Sequence, residues 1–278
     1  MAQNRNKTKK TNEFSFYIKR LWKLYFVFLG LLTIFFFFLS LGWLGFMPSF
    51  EELENPHSNQ ASEVYSADGQ ILGYIGIQNR SNISYGELPE NLIQALIATE
   101  DIRFYKHSGV DMRSLFRVLS KTIIGRKKSS GGGSTLSQQL AKNLFPRERQ
   151  SKIGVIYSKL KEWVVAIKLE RNYTKDEILT MYLNTVDFGS NAFGIKTAAK
   201  TFFDKTPKEL KTHESAVLVG MLKAPTAYSP VRRTERSQER RNTVLAQMNK
   251  YEFISDEEFE KLYQEWKNAR KTFKEVVS

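Results

Sequence analysis

The sequence has no cysteine, which excludes a disulfide framework and a thiolate-held metal. Its three histidines, His57, His107 and His213, are too few and too widely spaced for a histidine-built zinc site. Charged side chains are absent from residues 24–50. Strand signals are scarce. One stretch, 64–75, folds about Asp68-Gly69, a dipeptide suited to a two-residue hairpin turn. No internal repeat is visible. The 278 residues are enough for one large domain or two small ones with a real core.

The charge-free stretch exceeds the about 20 apolar residues a helix needs to cross a bilayer. Trp22 and Tyr25 stand at one end and Trp43 at the other, where interfacial aromatics belong. Arg5, Lys7, Lys9, Lys10, Lys19, Arg20 and Lys23 precede it, and Glu51, Glu52 and Glu54 follow. This asymmetry predicts a single-pass anchor in the cell (inner) membrane, with a cytoplasmic N-terminus and the rest extracytoplasmic. A cleaved signal peptide would have a shorter apolar core, typically about 7–15 residues, and a small-residue cleavage site. Net charge is +13. Residues 1–50 carry seven Lys/Arg against one acid (+6), and the remainder carries 35 against 28 (+7). The excess is thus partly a property of the tail. It suits a membrane surface or a phosphorylated substrate, and no nucleic-acid partner is expected.

Helical patterns dominate the remainder. Pro89 opens a helix that buries Leu92, Ile93, Leu96 and Ile97 and ends at Glu100-Asp101. A second helix covers 112–124. A basic loop follows, with Arg126, Lys127, Lys128, Gly131, Gly132 and Gly133, before a helix over 134–144. In the helix 153–171, Ile156, Leu160, Trp163 and Ile167 step by four, three and four, which predicts a core face. Glu162 falls on the neighbouring row with Val155, Ala166 and Leu169. Thr174-Lys175-Asp176-Glu177 is a capping box opening another helix, and Thr206-Pro207-Lys208-Glu209 reads as a further helix start. Helices are expected over 214–222 and 232–250, the latter with Val244, Leu245 and Met248, and a last one after Ser255. The expected organisation is a basic tail (1–23), a transmembrane helix (24–50), a linker (51–62), a mainly α catalytic domain with a short β-hairpin (63–250), and a C-terminal helical segment (251–278).

Two polar blocks carry the chemistry. Glu100-Asp101 ends an apolar helix, where a carboxylate is poorly hydrated and suited to general base or acid work. The bland alternative pairs the acids with Arg103 or Lys106. His107 could equally fix its loop by bonding a backbone group. The second block, Ser134, Thr135, Gln138, Gln139, Lys142 and Asn143, follows the glycines. A glycine run before a helix lets backbone amides approach an anion, and Gln138 and Lys142 share a face. These side chains look too polar for a buried helix. Glu162 either forms a salt bridge with Lys159 or Lys161 or makes a carboxylate pair with Glu100, as glycosyl chemistry uses. Arg240 and Arg241 either bind phosphate or lie on a basic face. The Ser158-x-x-Lys161 spacing matches a penicillin-type acylation motif only by chance, since it lies mid-helix and no Lys-Thr-Gly follows.

Five blocks in order resemble the peptidoglycan glycosyltransferases, glycosyltransferase family 51, found as monofunctional membrane enzymes and as the first catalytic domain of class A penicillin-binding proteins. They are Glu100-Asp101-x-x-Phe104-x-x-His107-x-Gly109; Gly132-Gly133-Ser134-Thr135-x-x-Gln138-Gln139-x-x-Lys142-Asn143; Lys159-x-x-Glu162 through Leu169-Glu170; Lys175-x-x-Ile178-x-x-x-Tyr182-Leu183-Asn184; and Arg240-Arg241-x-x-Val244-Leu245. The third departs from the pattern, with Ser158 where the family usually has Arg, so Lys159 or Lys161 would have to replace that base.

The resemblance implies a lysozyme-like, mainly α glycosyltransferase domain with a smaller membrane-facing lobe. It implies that lipid II and a lipid-linked glycan chain are the substrates, that a β-1,4 bond forms with inversion, and that polyprenyl pyrophosphate is released. Glu100 would be the general base and Glu162 the second catalytic carboxylate. Asp101, His107, Ser134, Thr135, Gln138, Gln139, Lys142, Asn143, Lys159, Arg240 and Arg241 would bind substrate. A divalent cation, Mg or Mn, would neutralise the leaving group, with Glu162 as its ligand. Other cell-wall synthesis proteins are expected partners. Two rivals are a lysozyme-like glycan hydrolase, which needs no phosphate-binding set, and a non-catalytic scaffold, which needs neither carboxylate.

Overall fold

A computed structural model of the chain describes residues 2–43, 62–65, 71–75, 79–80, 82–125, 133–145 and 152–264. The chain forms two compact units, Met1–Leu53 and Glu54–Ser278.

The first unit is helix α1, Ala2–Ser40. Its segment Ser15–Ser40 is long and apolar enough to cross a membrane, and Leu21, Phe26, Phe28, Leu31 and Phe37 on it are exposed. The apolar helix was expected over 24–50. It begins earlier because no proline or glycine stops it within the basic tail. It ends earlier because Gly42 adopts φ 78°, with Gly42 N–H donating to Leu39 O and Trp43 N–H to Phe38 O. This is a glycine-terminated helix end. Residues 44–50 and the linker to residue 61 lie outside the described residues.

The second unit is mainly α. Strands β1 (Ser62–Tyr65) and β2 (Ile71–Ile75) pair antiparallel, as the hairpin pattern predicts; the Asp68-Gly69 turn lies outside the described residues. Eight helices follow among the described residues: α2 (Glu90–Glu100), α3 (Met112–Gly125), α4 (Leu136–Leu144), α5 (Lys152–Asn172), α6 (Lys175–Thr185), α7 (Ile195–Phe203), α8 (Thr212–Met221) and α9 (Thr234–Lys250). Residues 256–264 are also helical. Sequence reading missed β3 (Asn79–Arg80) and β4 (Ala192–Phe193), which pair parallel and are too short to show alternation. At 206–209 the expected helix start is a single 3-10 turn, Pro207–Glu209, whose capping box is intact. Leu210 then turns extended and buried, and α8 starts afresh at Thr212.

The helices pack in two groups. Helices α2, α8 and α9 form one, and α4, α5 and α6 the other, with α7 touching both through α6 and α8. In the first group Leu92, Leu96, Val244, Leu245 and Met248 are fully buried. In the second, Leu136, Leu140, Leu169, Ile178 and Leu179 are.

Helix α5 is turned from the expected orientation toward the carboxylate row. Ile156 is 65% exposed and Ile167 37%, while Ser158, Glu162, Val165, Ala166 and Leu169 are buried. Leu160 and Trp163, the middle of the expected core face, are half-buried, and Val155 of the neighbouring row is exposed. The carboxylate row is thus the more buried from Ser158 onward, and the expected face is exposed at Ile156 and Ile167. Likewise α4, expected to be too polar for burial, hides Ser137 and Gln138, because each finds a distant polar partner.

Gly109 locks the two motif segments together. Its φ is +92°, and a Cβ there would lie 2.8 Å from the backbone C and O of Ala166 on α5. Gly109→Ala is therefore expected to destabilise the fold by about 1–3 kcal/mol, read as a lower thermal midpoint with the same unfolding cooperativity.

Candidate active site

The end of α2 meets the start of α4 through Asp101. Its Oδ2 accepts from Leu136 N–H at 3.0 Å and lies 2.9 Å from His107 Nε2. Thr135 caps the same helix, accepting from Gln138 N–H at 3.2 Å and donating to Gly109 O at 2.6 Å. The anion that sequence reading places at this helix start is thus supplied within the chain. An Asp carboxylate at a helix N-terminus is stabilised by the unpaired amides and the helix dipole. Gly131 and Gly132, the other part of the expected cradle, lie outside the described residues.

Asp101 and His107 are buried and hold the loop from behind; His107 Nδ1 has no partner among the described residues. Gln138, expected to work beside Lys142, is buried against Gly109 O, 3.4 Å from its Nε2, whereas Lys142 is exposed and Asn143 half-buried. Arg103 does not pair with Glu100 or Asp101. It bonds Asp111 at 2.9 Å. Burial raises the Asp111 carboxyl pKa, but hydrogen bonds from Ser114, the Arg103 charge and the Arg113 amide outweigh this and hold it below the ordinary carboxylate value.

A strut whose roles sequence reading did not assign binds four blocks. Glu170 accepts from Ser137 Oγ at 2.5 Å and pairs with Lys175 Nζ at 2.6 Å. Lys175 also donates to His107 O at 2.7 Å and lies 4.4 Å above the Phe104 ring.

Glu100 lies where the two helix groups meet. Oε2 accepts from Gln139 Nε2 on α4 at 3.0 Å, and Oε1 is 3.8 Å from the Arg240 guanidinium on α9. Glu100 and Arg240 side chains are 18% and 13% exposed, so the pair is shielded yet reachable. Arg240 is placed by Gly220 O, 3.4 Å from its Nε, and by the Tyr228 ring at 5.9 Å. Arg241 bonds Asn242 Oδ1 at 2.8 and 3.1 Å. On α5, Glu162 pairs with Lys159 Nζ at 2.9 Å, and the same ammonium donates to Ser134 Oγ at 2.9 Å. Lys159 remains 33% exposed, so it can meet a ligand. Lys161, the alternative partner, lies 5.0 Å over the Tyr157 ring. The structure therefore joins Glu100, Gln139 and Arg240 in one cluster and Ser134, Lys159 and Glu162 in another.

Among the described residues no three acidic or histidine side chains converge. A cation bound only by protein carboxylates thus has no site among them. The single buried carboxylate of Glu162 fits the mode in which magnesium takes one protein oxygen and completes its shell with phosphate and water.

The family model described as Transglycosylase matches residues 68–249, a range holding all five blocks. The chain is 41% identical over 217 residues to penicillin-binding protein 1A of Aquifex aeolicus, covering 77% of this chain and 29% of that protein. It is 39% identical over 198 residues to penicillin-binding protein 1F of Bacillus subtilis, covering 71% and 27%. It is 36% identical over 223 residues to penicillin-binding protein 1A of Escherichia coli, covering 80% and 26%. The chain thus spans less than a third of the length of these relatives. Among solved structures, penicillin-binding protein 1A from Haemophilus influenzae aligns over 73% of this chain and 20% of that one, at 26% identity and a TM-score of 0.40.

Proposed function

The chain belongs to the transglycosylase family, the peptidoglycan glycosyltransferases, and from that membership we propose that it polymerises lipid II into β-1,4-linked glycan at the outer face of the cell membrane. The α1 segment Ser15–Ser40 is its single-pass anchor, with the N-terminus inside. The observation that best supports the reading is Glu100 itself. It sits where the two helix groups meet, one oxygen held by Gln139 at 3.0 Å and the side chain 18% exposed, so a hydroxyl can reach it as it must reach a general base. A hydrolase would instead require a protonated acid at the leaving oxygen.

In this mechanism Glu100 takes the proton from the 4-hydroxyl of lipid II as that oxygen attacks the anomeric carbon of the lipid-linked chain. The α-linked pyrophosphate departs from the opposite face, so the new bond is β. Lys142, Lys159 and the 240–241 arginines supply positive charge to the pyrophosphate. Glu162 holds Lys159 in place and offers one oxygen to a divalent cation, Mg or Mn. Such an ion, when bound, neutralises charge on the leaving group. Asp101, His107, Thr135 and Gln138 keep α4 and the loop at residue 109 in register beneath the substrates, while Ser134 and Asn143 border them.

Incubating the purified chain with labelled lipid II separates this reading from its rivals. Ladders of glycan on a gel, lost with a chelator and restored by Mg or Mn, are expected. Shortened sacculi without polymer would indicate a hydrolase, and neither product a scaffold.

A further inference from the structure

Tyr182 on α6 is 1% exposed, yet its hydroxyl is not spent on the core. It donates to Gln139 Oε1 at 3.1 Å, and Gln139 Nε2 donates to Glu100 Oε2 at 3.0 Å. The three residues come from α6, α4 and α2, so no local sequence pattern groups them. A primary amide can present either its oxygen or its nitrogen. Turned the other way, Gln139 would set an oxygen lone pair against the carboxylate. Glu100 Oε2 accepts from the amide nitrogen, which leaves Oε1 toward Tyr182, and the phenol O–H donating there holds that orientation, so every donor in the chain points toward Glu100.

We propose that Tyr182 is a positioning residue for the general base. Acting through Gln139, it keeps Glu100 Oε2 engaged as a hydrogen-bond acceptor, so the substrate proton goes to Oε1. This rests on the reading of Glu100 as the base. Oε1 lies 3.8 Å from Arg240, beyond hydrogen-bond length, and is the oxygen left open to substrate.

In the transfer, the O–H bond of the acceptor breaks and its proton forms a bond to Oε1. The hydroxyl oxygen's electron pair forms the new bond to the anomeric carbon. The carbon–oxygen bond to pyrophosphate breaks, with its pair leaving on the phosphate oxygen. Oε2 accepts from Gln139 before and after, so the relay needs no rearrangement during the step, which is the advantage of preorganised groups. The relay also keeps its own proton. Burial, and then the Glu100 charge, push the Tyr182 hydroxyl pKa well above the ordinary phenol value.

Tyr182→Phe keeps the ring and removes only the donor. In the full-length chain it is expected to lower kcat by about 10- to 100-fold, with KM for lipid II changed by less than about 2-fold and little change in thermal midpoint. Because Tyr182 acts through Gln139, adding Tyr182→Phe to a Gln139→Ala variant should cost less than about 2-fold more. A Tyr182→Phe enzyme with full kcat, one altered only in KM, or one whose loss is as large in the Gln139→Ala background would overturn the proposal. Glu100→Gln serves as the control. If it is inactive while Tyr182→Phe is fully active, only the positioning role fails; if Glu100→Gln is active, the base assignment fails and the relay with it.

Discussion

Glu100→Gln is expected to abolish polymerisation, lowering the rate by about 10³-fold, while the protein folds and melts as before. The substitution is nearly isosteric. The amide oxygen of the new side chain can still accept from Gln139, so the contact at Oε2 survives. What disappears is a site that can receive a proton. Arg240 loses a charge at 3.8 Å, beyond hydrogen-bond length, so no direct hydrogen bond is broken and the cost in stability is small. Rates measured with labelled lipid II, beside a thermal melt, check both parts. Inactivity together with a collapsed melting transition would implicate the fold instead.

Glu162→Gln should produce the second largest loss, about 10²-fold in rate, carried by the donor side. Glu162 is buried on the inward row of α5 and holds Lys159, whose ammonium also reaches Ser134. The amide keeps a hydrogen-bonding oxygen but removes the charge that fixes the lysine and the one protein oxygen suited to a cation. Initial rates at varied lipid II, with and without added Mg, test this. A normal rate with a normal Mg response would remove Glu162 from the donor site.

Much of the framework was legible because it is local. The Thr174–Glu177 capping box does open α6, and Val244, Leu245 and Met248 do face the core. The five blocks identify the family with no structural information. What was not legible depends on partners far apart in the chain. Asp101 reads as a substrate ligand until Leu136 is seen to donate to it from 35 residues away. Gln138 reads as a substrate-facing side chain too polar for burial until Gly109 O is found beside it. On α5 the hydrophobic stripe marked a face that the protein covers only in part, because the row with Glu162 finds polar partners on neighbouring segments and takes the more buried side. Ile156 and Ile167 are exposed, while Leu160 and Trp163 between them are half-buried. Tyr182 was visible as a motif residue, but its role required three helices to be brought together.

The central claim is a single-step displacement assisted by one carboxylate base, and the configuration of the product tests it most directly. Lipid II carries its sugar α-linked to pyrophosphate, and the anomeric coupling in the NMR spectrum of the polymer reports the bond that replaces it. The account predicts a β-1,4 linkage throughout, the result of one inversion. An α linkage would require a covalent glycosyl-enzyme and a second displacement, and would contradict it.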